Sequence, residues 1–334
     1  MSIKKINSNS WPAYIQPAGT VDREWEDRIL SFFISLMSNE KIPLNDSFIT
    51  SLKKIYIPFS EYLAKKHIDK PLIVGINGAQ GSGKSTLSKI TSGILEKGFG
   101  KKVISISIDD LYKGKKQRRQ LASQIHPLLI TRGVPGTHDT ELGISILHHL
   151  LNKNTSELLI PVFDKSIDDL LPTEKWKKVS NEYDIILFEG WCVGSIPQTE
   201  KSLKDPINDL ERSDDSDGTW RRFVNQQLES TYAELFSLID IQVMLKIPAF
   251  NRVFEWRKLQ EEKLKSSLND NNDNNIMNDA EITQFIMHFE RLTRHTLNEM
   301  PHRSDIVLEL GDDQQIKNVV LNNRPQNNTT HGLT

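Results

Sequence analysis

Residues 78–86 read Gly78-Ala79-Gln80-Gly81-Ser82-Gly83-Lys84-Ser85-Thr86 and match the G-x-x-x-x-G-K-[ST] pattern at each required position. The flanks constrain the fold as much as the loop does. Residues 71–77 form a short apolar, β-branched run that reads as a buried strand. From Thr86 to Lys97, Leu87, Ile90, Ile94 and Leu95 recur at helical spacing. A strand, a glycine loop and a helix in that order make a phosphate cradle. Gly78, Gly81 and Gly83 let the backbone approach phosphate oxygens without a Cβ in the way. Main-chain N–H groups at the helix start, with the helix dipole behind them, attract the anion. In this pattern Lys84 reaches the β- and γ-phosphates and the Ser85 hydroxyl holds Mg²⁺. The segment predicts a nucleoside triphosphate site.

A chain of 334 residues is long enough for one large α/β domain or two modest ones. Its net charge of −2 provides no basic excess to neutralise nucleic-acid phosphates. The single cysteine, Cys192, excludes an intrachain disulfide, fits a reducing compartment and reads as a small buried hydrophobe. Residues 1–11 lack the apolar core of a leader segment, and no apolar run approaches membrane-span length. The expectation is a cytoplasmic protein that binds neither nucleic acid nor membrane.

Residues 1–68 read as an amino-terminal helical extension. Val21, Trp25, Ile29, Phe32, Phe33 and Leu36 share one face of a helix over 21–37, and a second helix over 48–66 is expected to break at Pro58. The tryptophans and phenylalanines there read as packing. A second strand is expected over 101–109 and a basic loop over 113–119. Further readings are a helix to 151 capped by Asp139 or Thr140, a strand over 158–163 and an acid-tipped strand over 184–189. Residues 198–219 read as a polar, acidic surface insertion, followed by one helix over 220–238 and a strand over 239–247. A charged helix over 250–268 leads into an Asn/Asp linker at 269–275. Asn278 and Glu281 resemble a capping box opening the helix over 279–298, and a last strand spans 305–310. Residues 322–334 read as a disordered tail. Strands alternating with helices imply an α/β fold with a mainly parallel sheet covered on both faces.

In such sheets ligands sit beyond the carboxyl ends of the strands. Asp109 and Glu189 each terminate a predicted strand, so both are expected to face the γ-phosphate. Phosphoryl transfer to an alcohol needs a carboxylate to take the proton and Mg²⁺ to spread charge. Asp109 is assigned the first role and Glu189, with Ser85, the metal. Asp110 would point to the opposite side of a strand and ranks second.

The segment Arg132-Gly133-Val134-Pro135-Gly136-Thr137-His138-Asp139 is the most distinctive. With the loop, Asp109-Asp110-Leu111-Tyr112, Pro161-Val162-Phe163-Asp164-Lys165-Ser166 and Phe188-Glu189-Gly190-Trp191, it resembles the D-glycerate 3-kinase family. That family belongs to the phosphoribulokinase, uridine kinase and pantothenate kinase branch of P-loop proteins. The resemblance runs from about residue 72 to 310 in the same motif order, and residues 254–260 and 277–281 also look like the family. It implies a P-loop NTPase fold, three-layer α/β/α, occupying residues 69–321, with a helical lid at about 248–278. It also implies ATP-dependent phosphorylation of D-glycerate to 3-phosphoglycerate, as in photorespiration, with ATP and Mg²⁺ as cofactors and Asp109 as base. Arg132, His138, Asp139, Asp164 and Lys165 would lie on the substrate side. A small carboxylate needs a fixed cation, for which Arg132 or Lys165 is the natural candidate. His138 would donate to a substrate hydroxyl or order its loop. Arg257, on the lid, would close over the transferring phosphate and exclude water. The acidic 198–219 segment and Cys192 depart from the family pattern. The alternatives are a uridine- or pantothenate-kinase-like enzyme for another small alcohol, and an ATP-binding regulatory protein without transferase activity.

Overall fold

The computed structural model describes residues 46–152, 157–180, 182–267 and 277–322, with Trp11, Trp25, 28–29, 31–33 and Ser35 of the amino-terminal segment. A six-stranded sheet forms the centre. Its strands are β1 (Leu72–Gly78), β2 (Val103–Ser107), β3 (Ile185–Gly190), β4 (Ile241–Lys246), β5 (Ile306–Leu310) and β6 (Ile316–Leu321). Their order is β6-β5-β4-β1-β3-β2, parallel throughout except for the antiparallel edge pair β5·β6. β1 is fully buried, which explains its apolar run from Leu72 to Ile76. The covering helices are α1 (Ile57–Lys66), α2 (Lys84–Phe99), α3 (Lys115–Gln124), α4 (Thr140–Leu151), α5 (Thr219–Glu229), α6 (Thr231–Ser237), α7 (Asn251–Ser267) and α8 (Asp279–Glu299).

The alternation of β1 separates two cores. Leu72, Val74 and Ile76 pack with Phe59 and Leu63 of α1, Leu87 and Leu95 of α2, and Val253 and Trp256 of α7. Ile73 faces the other way, toward Ile146, Leu147 and Leu150 of α4 and Tyr232 and Leu235 of α6. The sheet is thus the middle of three layers, as the alternation of elements predicts. Because β1, β2, β3 and β4 are parallel, Gly78, Ser107, Gly190 and Lys246 all end at one edge.

Several elements differ from the sequence reading. The helix expected to break at Pro58 continues, as a π-helical stretch at Leu52–Tyr56 runs into α1, whose first turn accepts the proline. The 113–119 run is not a loop: α3 begins at Lys115 and buries Arg118. The helix expected over 220–238 is two, because Ser230 takes φ −112° and ψ −111° between α5 and α6. Nor is 198–219 a solvated insertion. Short helices at Glu200–Leu203 and Asp209–Asp214 bury Leu203, Leu210, Glu211 and Asp215. Arg291 of α8 bonds both oxygens of Glu211, and Arg221 bonds Asp215 at 2.9 Å, so these acids are neutralised inside the fold. The Asn278 capping box is present, with Glu281 Oε2 accepting from the Asn278 N–H at 2.8 Å. β6 was not anticipated. The 269–275 linker and the tail beyond Asn322 lie outside the described residues, as does most of the 21–37 helix.

Described parts of the amino-terminal segment lie on α2. Trp25, Ile29 and Phe33 pack with Ile90 and Ile94, and Trp25 Nε1 donates to Gly98 O at 2.7 Å. The Phe32 ring occupies the space that a Cβ on Gly93 would need. Gly93→Ala should therefore push this segment off α2 and cost about 1–3 kcal/mol of stability. Denaturant unfolding followed by tryptophan fluorescence checks this; an unchanged midpoint would contradict the close approach.

Candidate active site

The phosphate loop turns through Gly81 (φ +76°) and Gly83 (φ +90°), conformations that suit glycine. A Cβ on Gly83 would meet open space, whereas at Gly81 it would press on Trp256 of α7 at 2.9 Å. Gly81 is held from another side by Gln314, whose Nε2 donates to Gly81 O at 3.2 Å. Lys84 Nζ curls back to donate to Ala79 O at 3.1 Å. Burial lowers the proton affinity of Lys84, opposed by the charges of Glu189 and Asp109, with Lys165 adding to the depression. Ser82 Oγ is buried without a hydrogen-bond partner in the described structure. A free hydroxyl, an ammonium with protons to spare and an open Gly83 fit a polyphosphate. Gly78, Ala79, Gln80, Ser85 and Thr86 complete the same loop and the first turn of α2.

Ser85 Oγ donates to Glu189 Oε1 at 2.9 Å, so the two residues assigned to the metal meet across the β1–β3 boundary. A hydroxyl and a carboxylate oxygen are hard donors of the kind Mg²⁺ takes. Glu189 is buried and lies within β3, one residue before its end, as expected. Asp109 does not end a strand. β2 stops at Ser107, and Asp109 and Asp110 lie in the 3₁₀ turn Ile108–Leu111, capped by Ser107 Oγ. The strand-alternation reason for setting Asp110 aside therefore fails. Asp109 is nevertheless beside the loop, near enough for its charge to act on Lys84.

Asp109 Oδ2 accepts from Lys165 Nζ at 2.6 Å and Oδ1 from Tyr112 Oη at 2.8 Å. Burial opposes ionisation, but Lys165, aided by Tyr112, outweighs it and holds the carboxyl below its usual range. Lys165 projects from a hairpin formed by Phe163–Asp164 and Asp169–Leu170. Asp164 stays at the turn, where its Oδ1 accepts from the Ser166 N–H at 2.8 Å and hydroxyl at 2.6 Å.

The Arg132–Asp139 loop divides its work. Arg132 pairs with Asp168 and lies 5.5 Å over the Phe163 ring. His138 is buried, stacks on Tyr112 at 4.6 Å and shares a hydrogen bond with Tyr232 Oη. Burial pushes its proton affinity down to about 3, so the imidazole is neutral. Its Nδ1 is engaged in ordering the loop, while Nε2 is buried without a hydrogen-bond partner in the described structure. Asp139, expected with the substrate contacts, caps α4 instead: its Oδ1 accepts from the Leu142 N–H at 3.0 Å. Arg257, on α7, pairs with Glu261 and lies 5.3 Å over Phe285. Burial lowers its proton affinity, Glu261 opposes this, and the charge of Arg132 adds to the depression.

Sequence reasoning missed three organising residues. Arg118 is 1% exposed and donates to Lys113 O (3.0 Å), Ile130 O (2.7 Å), Asp168 O (2.6 Å) and Asp168 Oδ2 (2.9 Å). Its signal was available: 118, 121, 122 and 125 form one face of a helix. Asn77, a polar residue in an apolar strand, clamps the turn after Glu189. Tyr232 Oη accepts from the Gly136 N–H at 2.9 Å, and nothing local in the sequence announces it.

No protein-family model matches the chain. The uncharacterised kinase mug58 of Schizosaccharomyces pombe is 31% identical over 250 residues, 72% of this chain and 87% of that protein. The chloroplastic D-glycerate 3-kinase of Arabidopsis thaliana is 31% identical over 195 residues, 56% of this chain. That match spans only 40% of the plant protein. A D-glycerate 3-kinase structure from Cryptococcus neoformans has the same fold, with a TM-score of 0.66 at 24% identity over 79% of this chain and 96% of that one. Among the described residues no helix is long and apolar enough to cross a membrane.

Burial, with the neighbouring charge of Asp109 second, raises Asp110 from 3.8 to about 6. The folded state therefore keeps a proton that the unfolded chain has already lost across that window, so stability falls as pH rises through it. Asp110→Asn removes this penalty. It should stabilise the ligand-free protein by about 1–3 kcal/mol at neutral pH and by nothing below about pH 3.5. Denaturant midpoints measured across pH check this; a gain independent of pH would contradict it.

Proposed function

We propose, for a chain that belongs to the D-glycerate 3-kinase family of P-loop kinases, that the acceptor is D-glycerate and the product 3-phosphoglycerate. The family membership makes it an ATP-dependent phosphotransferase. The observation that carries the acceptor reading is a carboxylate, Asp109, paired with a solvent-facing ammonium, Lys165, beside the phosphate loop. A short hydroxy acid offers the complementary pair: a hydroxyl for the carboxylate and a carboxylate for the cation. A nucleoside would instead call for an aromatic stacking surface.

In this reading the loop N–H groups, Ser82 and Lys84 hold the β- and γ-phosphates of ATP. Mg²⁺, held by Ser85 and Glu189, would spread the charge that develops on the transferred group. Asp109 orients the C3 hydroxyl in line with the γ-phosphorus and takes its proton as the bond forms. A carboxylate that is ionised before substrate enters can accept that proton late in a loose transition state. Arg132 or Lys165 meets the substrate carboxylate, while Asp164 sets the turn that carries Lys165. His138, neutral and buried, keeps Tyr112 in place against Asp109. Arg257 lies on a helix packed on the loop through Trp256, so a small closure of α7 would bring it over the phosphate and exclude water.

The test is acceptor-stimulated ADP release with ATP, Mg²⁺ and a panel of D-glycerate, uridine and pantothenate, with the product identified by phosphorus NMR. D-Glycerate should stimulate release and yield 3-phosphoglycerate. A 2-phosphoglycerate product, a preference for another alcohol, or tight ATP binding with no stimulated release would overturn the reading. Asp109→Asn should lower kcat by roughly 10²–10⁴-fold with ATP affinity nearly unchanged. An unchanged kcat would remove Asp109 as the base.

A further inference from the structure

We propose that Lys165 is a latch on the acceptor base, lying across Asp109 until the carboxylate of a short hydroxy acid draws it away. Acidic alcohols then free the base and neutral ones do not. The inference rests on the acceptor reading above and adds a selection step to it. With Lys165 Nζ on Oδ2 and Tyr112 Oη on Oδ1, each oxygen of Asp109 already accepts a hydrogen bond. Each oxygen keeps a lone pair, but an incoming hydroxyl must approach one of them past a side chain already seated there. The Lys165 side chain is 61% exposed against 28% for Asp109, so the cation covers the base from the solvent side. Ion pairs this exposed are weak and open readily to a competing carboxylate.

The other cations of the site are held more firmly. Arg132 is tied to Asp168, which Arg118 also grips, Arg257 is tied to Glu261, and Lys84 is folded into the loop. Lys165 instead ends a flexible four-carbon stem with three donors to redistribute. Its backbone is fixed while its side chain is not. The Asp164–Ser166 turn precedes the hairpin tip, and Asp169 Oδ1 accepts from the Lys115 N–H at 3.0 Å behind it. The ammonium can therefore turn from Asp109 to a substrate carboxylate without moving the hairpin. In a short hydroxy acid the hydroxyl and the carboxylate are few bonds apart, so one molecule reaches both the freed Asp109 and the displaced Lys165. The hydroxyl proton then passes to the Asp109 oxygen that Lys165 has vacated.

The latch makes an unusual prediction for a molecule that cannot be phosphorylated. Propionate, which has the carboxylate but no hydroxyl, should stimulate ATP hydrolysis by the wild type, because a freed Asp109 can activate water. Lys165→Met should hydrolyse ATP faster than the wild type without additive and should not respond to propionate. Toward D-glycerate it should lose roughly 10²-fold in kcat/KM, chiefly through KM, with partial recovery in Lys165→Arg. The latch is overturned if propionate leaves wild-type hydrolysis unchanged, or if Lys165→Met loses hydrolysis and transfer in equal proportion. Should the wild type ignore D-glycerate, the acceptor proposal falls, while the propionate and hydrolysis measurements still decide the latch. The exposed position of Lys165 lets both variants be checked for folding by thermal denaturation.

Discussion

The side-chain amide of Asn77, buried in the central strand, donates to Trp191 O at 3.0 Å and to Val193 O at 2.9 Å. Asn77 directly precedes Gly78, where the phosphate loop begins, and Trp191 follows Glu189 by two residues. One buried amide thus sets the triphosphate cradle against the acid that Ser85 meets. The chain of contacts continues outward. Trp191 Nε1 donates to Gly133 O at 2.9 Å, and the Gly133 N–H donates to Thr137 Oγ1 at 2.9 Å. Tyr232 then holds Gly136 and His138. Losing the Asn77 amide would leave two buried carbonyls unpaired, at about 1–3 kcal/mol each, and would loosen the site before it unfolded the sheet.

Arg118 plays the matching part on the outer side. Its guanidinium joins the start of α3, the Ile130 carbonyl before Arg132, and Asp168 in the hairpin that carries Lys165. Segments far apart in sequence are thereby held as one wall. Removing it would take this donor from three carbonyls and leave the Asp168 carboxylate to Arg132 alone among the described residues. Asn77 ties the strand before the phosphate loop to the turn after Glu189, and Arg118 ties the start of α3 to the hairpin that carries Lys165.

The parts of this architecture carried by local periodicity were legible in the sequence. The phosphate loop has its strand and helix, β3 carries Glu189 near its end, and Asn278 opens α8. One group of misreadings has a common cause, in that charged composition reads as exposure. Asp215, Glu211, Arg118, Arg221 and Arg291 look like solvated charges in a linear reading, yet all are buried. Arg291 and Glu211 lie 80 residues apart, and no short window contains both. Asp109 was placed beside the phosphate loop from its position after an apolar run. The 3₁₀ turn that orients it depends on Ser107 capping and on Tyr112, contacts that exist only in three dimensions. Asp139 caps α4, the one of its two sequence readings that local helix signals carry.

The resulting account is of a P-loop kinase whose acceptor side is built from one carboxylate under two hydrogen bonds and a ring of cations of unequal freedom. On the proposed reading, nucleotide binding belongs to the loop, which many reactions share, and acceptor choice to the hairpin and the Arg132–Asp139 segment. A crystal structure with a non-hydrolysable ATP analogue, Mg²⁺ and D-glycerate tests this most directly. The account predicts the C3 hydroxyl within about 3 Å of Asp109 and in line with the γ-phosphorus, with Lys165 turned from Asp109 to the substrate carboxylate. A hydroxyl resting on Asp110, or a glycerate bound away from Asp109 with the Lys165 pair intact, would contradict it.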